Sequence, residues 1–83
     1  MRYIYRETVL DELARHGIIP CERTPPELIH EFVNDLYVIE IRSLKKQMLA
    51  GEVPKGDYAN LVEELRRRYP LLSLPVRLWA ETE

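Results

Sequence analysis

The chain has neither the paired cysteines that cross-link many very small domains nor a long apolar segment that could enter a membrane. Cys21 is the only cysteine, so no disulfide can form within the chain and nothing requires an oxidising compartment. No apolar run approaches the roughly 20 residues that span a bilayer. The amino-terminal residues carry charges where a signal peptide would have an apolar run. We therefore expect a soluble, cytoplasmic protein.

The chain also lacks a strong excess of charge of either sign. Twelve Lys and Arg residues against 14 Asp and Glu residues give a net charge of −2, whereas domains that bind nucleic acid usually carry a basic excess. With 46% hydrophobic and 31% charged residues, the composition is that of a folded domain. The 83 residues predict a single domain, residues 1–83, whose core is thin unless it assembles with another chain.

Turn and capping residues predict three helices, of which the first spans about residues 8–16. Thr8 is placed to cap the amino end of this helix. Gly17 suits the left-handed position that follows a helix, and Ile18 can then fold back onto Leu13, as in a Schellman motif.

The strongest local signal predicts a long central helix over about residues 25–50. Thr24 and Glu27 have the spacing of a capping box, in which each side chain bonds the backbone N–H of the other residue. Pro25 suits the first helical position, because its missing N–H costs nothing there. No proline or glycine then interrupts the sequence before Gly51.

A third helix is predicted over about residues 57–69, between the capping residue Asp57 and the helix breaker Pro70. Residues 1–5 either extend the first helix or form a short strand. Residues 36–41 are rich in β-forming side chains, although the absence of breakers favours helix. The predicted fold class is therefore all-α, with three helices of which the central one is long.

Residues 71–79 form an apolar carboxyl-terminal docking segment, which is either extended or a short helix. Seven of its nine residues are Leu, Val, Trp or Pro, and only Arg77 is charged. So much apolar surface should be ordered against something, since in water it would form a contact patch. Packing on the long helix of the same chain and packing on a neighbouring chain both stay open.

The long central helix carries two apolar faces, rotated relative to each other by roughly 100°. The face of its first half contains Leu28, Ile29, Phe32, Val33 and Leu36. The face of its second half contains Tyr37, Ile41, Leu44 and Met48. Glu40 lies where the apolar face rotates and is expected to be solvated. Val38 belongs to neither face, and the predicted interaction residues are Val38, Leu72, Leu74, Val76, Leu78 and Trp79.

The candidates for chemistry are weak. Glu27 and His30 have the spacing of half a carboxylate-bridged metal site, but they lie on the flank of the apolar face rather than pointing inward. His16 is expected to interact with the end of the first helix. Cys21 lacks the neighbouring base and orienting group that a nucleophile needs. We predict no enzymatic activity, no cofactor and no metal.

No motif identifies a family, and the sequence favours a small, non-enzymatic protein-interaction module. This module is either a homo-oligomer or an accessory subunit of a larger assembly. The alternative is a nucleic-acid-binding regulator, although Glu63 and Glu64 have the four-residue spacing that would pair them with Arg67 and Arg68 instead. That function would use Arg66, Arg67, Arg68, Lys45 and Lys46. A carboxylate and histidine metal-binding bundle ranks third.

Overall fold

The computed structural model describes all 83 residues and contains three helices and one small sheet. Two single 3₁₀ turns, Pro70–Ser73 and Val76–Leu78, lie in the carboxyl-terminal segment. No helix has both the length and the apolar character needed to cross a membrane. In chain order the elements are β1 Tyr3–Tyr5, α1 Glu7–Arg15, α2 Pro26–Leu49, α3 Lys55–Arg67 and β2 Ala80–Thr82.

The two strands pair the ends of the chain in an antiparallel ribbon, so the fold is mainly helical rather than all-α. Tyr3 lies opposite Thr82, and Tyr5 lies opposite Ala80. An isolated two-stranded ribbon is marginal in water, but this one is attached to the core through the buried Tyr5 side chain. The amino-terminal residues left open by the sequence are thus a strand, formed because a distant partner pairs with them.

The end of α1 confirms the predicted Schellman motif. Gly17 has a φ of 74°, and its N–H donates to the carbonyl of Ala14 at 3.0 Å. The N–H of Ile18 donates to the carbonyl of Leu13 at 2.9 Å. The predicted cap at the other end is wrong: α1 begins at Glu7, and Thr8 lies inside the helix.

The predicted capping box of α2 is also wrong, although the long helix itself is confirmed. The helix begins at Pro26 after Pro25, with no side-chain cap. The Thr24 hydroxyl is used one turn earlier, where it accepts a hydrogen bond from the backbone N–H of Cys21 at 3.3 Å. The helix continues through residues 36–41 and ends before Gly51, whose φ is 80°.

The third helix begins earlier than predicted, at Lys55 directly after Pro54. Asp57 therefore lies in the first turn, where a negative charge suits the helix dipole, and is not the N-cap residue. The helix ends at Arg67, close to its predicted end.

The core lies at one end of an elongated molecule measuring 50 × 18 × 16 Å. Its eight buried hydrophobic residues are Tyr5, Val9, Leu13, Val33, Leu65, Tyr69, Leu71 and Trp79. We call the region that holds them the core end. No residue from 34 to 64 is buried, and we call this projecting pair of helix segments and their turn the arm.

The carboxyl-terminal segment packs on its own chain. The Trp79 side chain is fully buried, and its indole N–H donates to the carbonyl of Leu74 at 3.1 Å. Leu72, Leu74 and Val76 also pack against the core. Of the six predicted interaction residues, Trp79 is therefore in the core and inaccessible to a partner, whereas Val38 and the other four are half-buried.

Candidate interaction surface

One side of α2 presents three large apolar side chains to solvent. Leu28 is 58% exposed, Phe32 is 52% exposed and Ile39 is 63% exposed. At 100° per residue these three positions fall within about 40° of arc, so they form a line along the helix. We call this side the outer face of α2.

The outer face exists because α2 is apolar on more sides than its neighbours cover. Toward the core end, Ile29, Val33 and Leu36 pack into the core cluster. Along the arm, α2 packs against α3, and the apolar residues on that side are half-buried. An apolar stripe on a helix normally packs against another element, yet nothing in this chain covers the outer face.

The sequence did not separate the outer face from the buried one. Leu28 and Phe32 share the predicted apolar face of the first half of α2 with Val33, but they lie on its solvent side. The sequence pattern that predicts the outer face is a second helical repeat of apolar residues. In this repeat Phe32 follows Leu28 by four residues, and Ile39 follows Phe32 by seven. Two overlapping stripes on one helix predict two different packing partners.

The arm also has an apolar groove on one side, where α2 and α3 meet. Its floor is formed by hydrophobic and aromatic side chains of both helices, and arginines line its edges. Val38, which the sequence placed on neither apolar face, lies here. The lining residues are Tyr37, Val38, Ile41, Arg42, Tyr58, Val62 and Arg66. Incomplete packing therefore extends from the outer face of α2 to the seam between the two helices.

A polar cluster joins the arm to the core end. The Tyr69 hydroxyl donates a hydrogen bond to the carboxylate of Glu40. The imidazole of His16 stacks on the Tyr69 ring with a centroid distance of 4.4 Å, and its Nε2–H donates to the carbonyl of Arg68 at 2.8 Å. Burial, together with the neighbouring Glu40, raises the pKa of Tyr69 to about 12.

This cluster corrects two expectations. Glu40 is half-buried and hydrogen-bonded rather than solvated. His16 is the C-cap residue of α1, but its ring binds the C-cap carbonyl of α3 instead of its own helix. Sequence reasoning missed this role because the two groups are distant in the chain. The arrangement positions the three helices relative to one another and leaves no free base beside a nucleophile.

The remaining candidate residues are not brought together. The His30 ring packs against Trp79 with a centroid distance of 5.4 Å, and no group of three or more His, Cys, Asp or Glu side chains could hold a metal ion with Glu27. Cys21 is exposed, and a hydrogen bond from the Thr24 hydroxyl lowers its thiol pKa.

The basic residues do not form the predicted ion pairs. Arg66 contacts Glu63 at 3.3 Å, whereas neither Arg67 nor Arg68 pairs with a carboxylate. The three arginines close α3 beside the core end, and the basic residues Lys45 and Lys46 lie near the far end of the arm. The two clusters therefore remain separate surfaces. Comparison with protein-family models, curated proteins and solved structures found no match.

Proposed function

We propose that the protein is a small interaction module that self-associates through the outer face of α2. The observation that supports this most strongly is the line formed by Leu28, Phe32 and Ile39, each more than half exposed. Single exposed apolar side chains are common on protein surfaces, but a line of large ones along a helix is typical of a contact site.

The arm supports the same proposal. It contains no buried residue of its own, and a pair of helices without a third layer leaves its apolar seam open on both sides. Full burial of a Leu, Phe or Ile side chain contributes about 1.5–3 kcal/mol. Because the three side chains of the outer face are already about half covered, each contributes roughly half of that on association.

The mass of the protein in solution, measured over a range of concentrations, tests the proposal. We expect a dimer or larger species for the unaltered chain, and a monomer for Phe32→Glu and Ile39→Glu. Ile19→Glu is the matched control, since Ile19 is 89% exposed in the loop between α1 and α2 and is not part of the outer face, so its replacement should leave the mass unchanged. A chain that stays monomeric at high concentration would contradict self-association.

A further inference from the structure

The outer face of α2 carries charges that are separated by sign along the helix. Glu31 and Asp35 lie in its first half, and Arg42 and Lys46 lie in its second half. At 100° per residue all four fall within about 60° of arc, beside the apolar line. All four side chains are exposed, and none of them forms an ion pair within the chain.

The helix itself does not account for this arrangement. The favourable effect of the helix dipole is confined to the first and last turns, whereas Asp35 and Arg42 lie in the middle of α2. Glu31 and Asp35 are four residues apart, as are Arg42 and Lys46, and like charges at this spacing destabilise a helix slightly. Within one chain, therefore, the dipole favours only Lys46, in the last turn of α2, and the two pairs of like charges are unfavourable.

A second copy running in the opposite direction makes the same arrangement favourable. We infer that two copies pair α2 against α2, antiparallel, about a two-fold axis that passes between Val38 and Ile39. Glu31 and Lys46 are equally distant from this midpoint, and so are Asp35 and Arg42. Each acidic residue of one copy then lies opposite a basic residue of the other.

Two exposed leucines agree with the same axis. Leu28 and Leu49 are also equally distant from the midpoint, and Leu49 is 71% exposed. Ile39 lies beside the axis, where it meets its own counterpart and Val38 of the second copy. A parallel pairing would instead place Glu31 against Glu31 and Lys46 against Lys46. The partner that fits this face is therefore a second copy of the chain in the antiparallel orientation.

This inference rests on the proposed self-association, and cysteine cross-linking separates the two. In a background of Cys21→Ser, we expect Ile39→Cys to form a disulfide-linked dimer, because a disulfide requires Cα atoms within about 7 Å. Leu28→Cys should not cross-link to itself but should cross-link to a chain carrying Leu49→Cys. A Leu28 to Leu28 cross-link in a dimer that Phe32→Glu dissociates would overturn the antiparallel pairing while leaving self-association intact.

Charge reversal provides a second test that does not depend on a new cysteine. Replacing Glu31 and Asp35 together by Lys should weaken the dimer by about tenfold or more, since four intermolecular pairs become repulsive. Adding Arg42→Glu and Lys46→Glu to that chain should restore the affinity, because the two halves are complementary again. Failure of the second pair to restore a weakened dimer would overturn the inference.

The matched control for charge reversal lies on α1. Glu7 and Asp11 are exposed and have the same four-residue spacing as Glu31 and Asp35. Replacing both by Lys makes the same change in net charge, and it should leave the dimer affinity unchanged. An equal loss of affinity in this control would show that net charge, rather than pairing of α2 with α2, sets the association.

Discussion

The core end and the arm are built from the same two long helices, but they differ in how their apolar residues are covered. At the core end, α1, the carboxyl-terminal segment and the β1–β2 ribbon surround α2 and α3, and eight hydrophobic residues are buried. In the arm the two helices have only each other, and no residue is buried. Under the proposed self-association, the arm therefore has more packing to gain from the second copy than the core end has.

A leucine-to-alanine substitution should lower the free energy of unfolding more at the core end than in the arm. Leu13 is fully buried at the core end, and Leu13→Ala should lower the free energy of unfolding by about 2–5 kcal/mol. Leu61 is half-buried in the arm, so Leu61→Ala should cost roughly half as much or less in the monomer. Urea denaturation at low concentration measures both, and equal losses would show that the arm is packed as well as the core end.

The hydrogen bond from Tyr69 to Glu40 connects the two regions, and its removal should have the next largest effect. Tyr69→Phe keeps the ring but leaves the Glu40 carboxylate without its donor. We expect a loss of about 1.5–3 kcal/mol, the usual contribution of a hydrogen bond to a charged group. Tyr58→Phe, which keeps this bond intact, is the matched control. Equal denaturation midpoints for the two variants would show that the bond contributes nothing.

The same tyrosine predicts an alkaline loss of stability. Burial raises the pKa of both Tyr5 and Tyr69 to about 12, above the ordinary value of 10. The folded state thus favours the neutral phenol, so this stabilisation is present below pH 10 and is lost as the pH rises toward 12. Between pH 9 and pH 12, the midpoint temperature of thermal unfolding should fall less steeply with rising pH for Tyr69→Phe than for the unaltered chain. Parallel curves would contradict this.

The smallest predicted effect concerns the turn before α2, where sequence and structure give different roles to Thr24. Because the Thr24 hydroxyl lowers the thiol pKa of Cys21, Thr24→Ala should raise that pKa and slow modification of the thiol near neutral pH. The stability of α2 should change little, since Thr24 does not cap it. If Thr24→Ala leaves the rate of Cys21 modification unchanged and lowers stability, Thr24 caps α2 after all.

Local signals in the sequence were sufficient for the helices and the Gly17 turn, although not for the predicted amino-terminal caps. The three helices, the Gly17 turn and the continuous helix through residues 36–41 follow from spacing and from the positions of breakers. The β1–β2 ribbon was missed because its partners, such as Tyr3 and Thr82, are at opposite ends of the chain. The contacts of His16 and Glu40 were missed for the same reason.

The candidate surface was predicted only in part, because a hydrophobic pattern identifies apolar residues without telling which neighbour covers them. The sequence left open whether the carboxyl-terminal segment packs on its own chain or on a neighbour, and the structure buries Trp79 in the core of its own chain. Phe32 belongs to the predicted apolar face of α2, yet half of its side chain is exposed because no other element covers that side of the helix. The sequence shows that α2 has apolar residues on more than one side. It does not show which of those sides stays exposed to solvent.

Hydrogen exchange measured at two protein concentrations tests most directly whether the arm depends on a second copy and the core end does not. We predict that protection of the amides around Ile39 in α2 rises with concentration, whereas protection around Val9 and Leu71 stays constant. The same rise should be absent in Phe32→Glu. Protection of α2 that does not change with concentration in the unaltered chain would contradict the account.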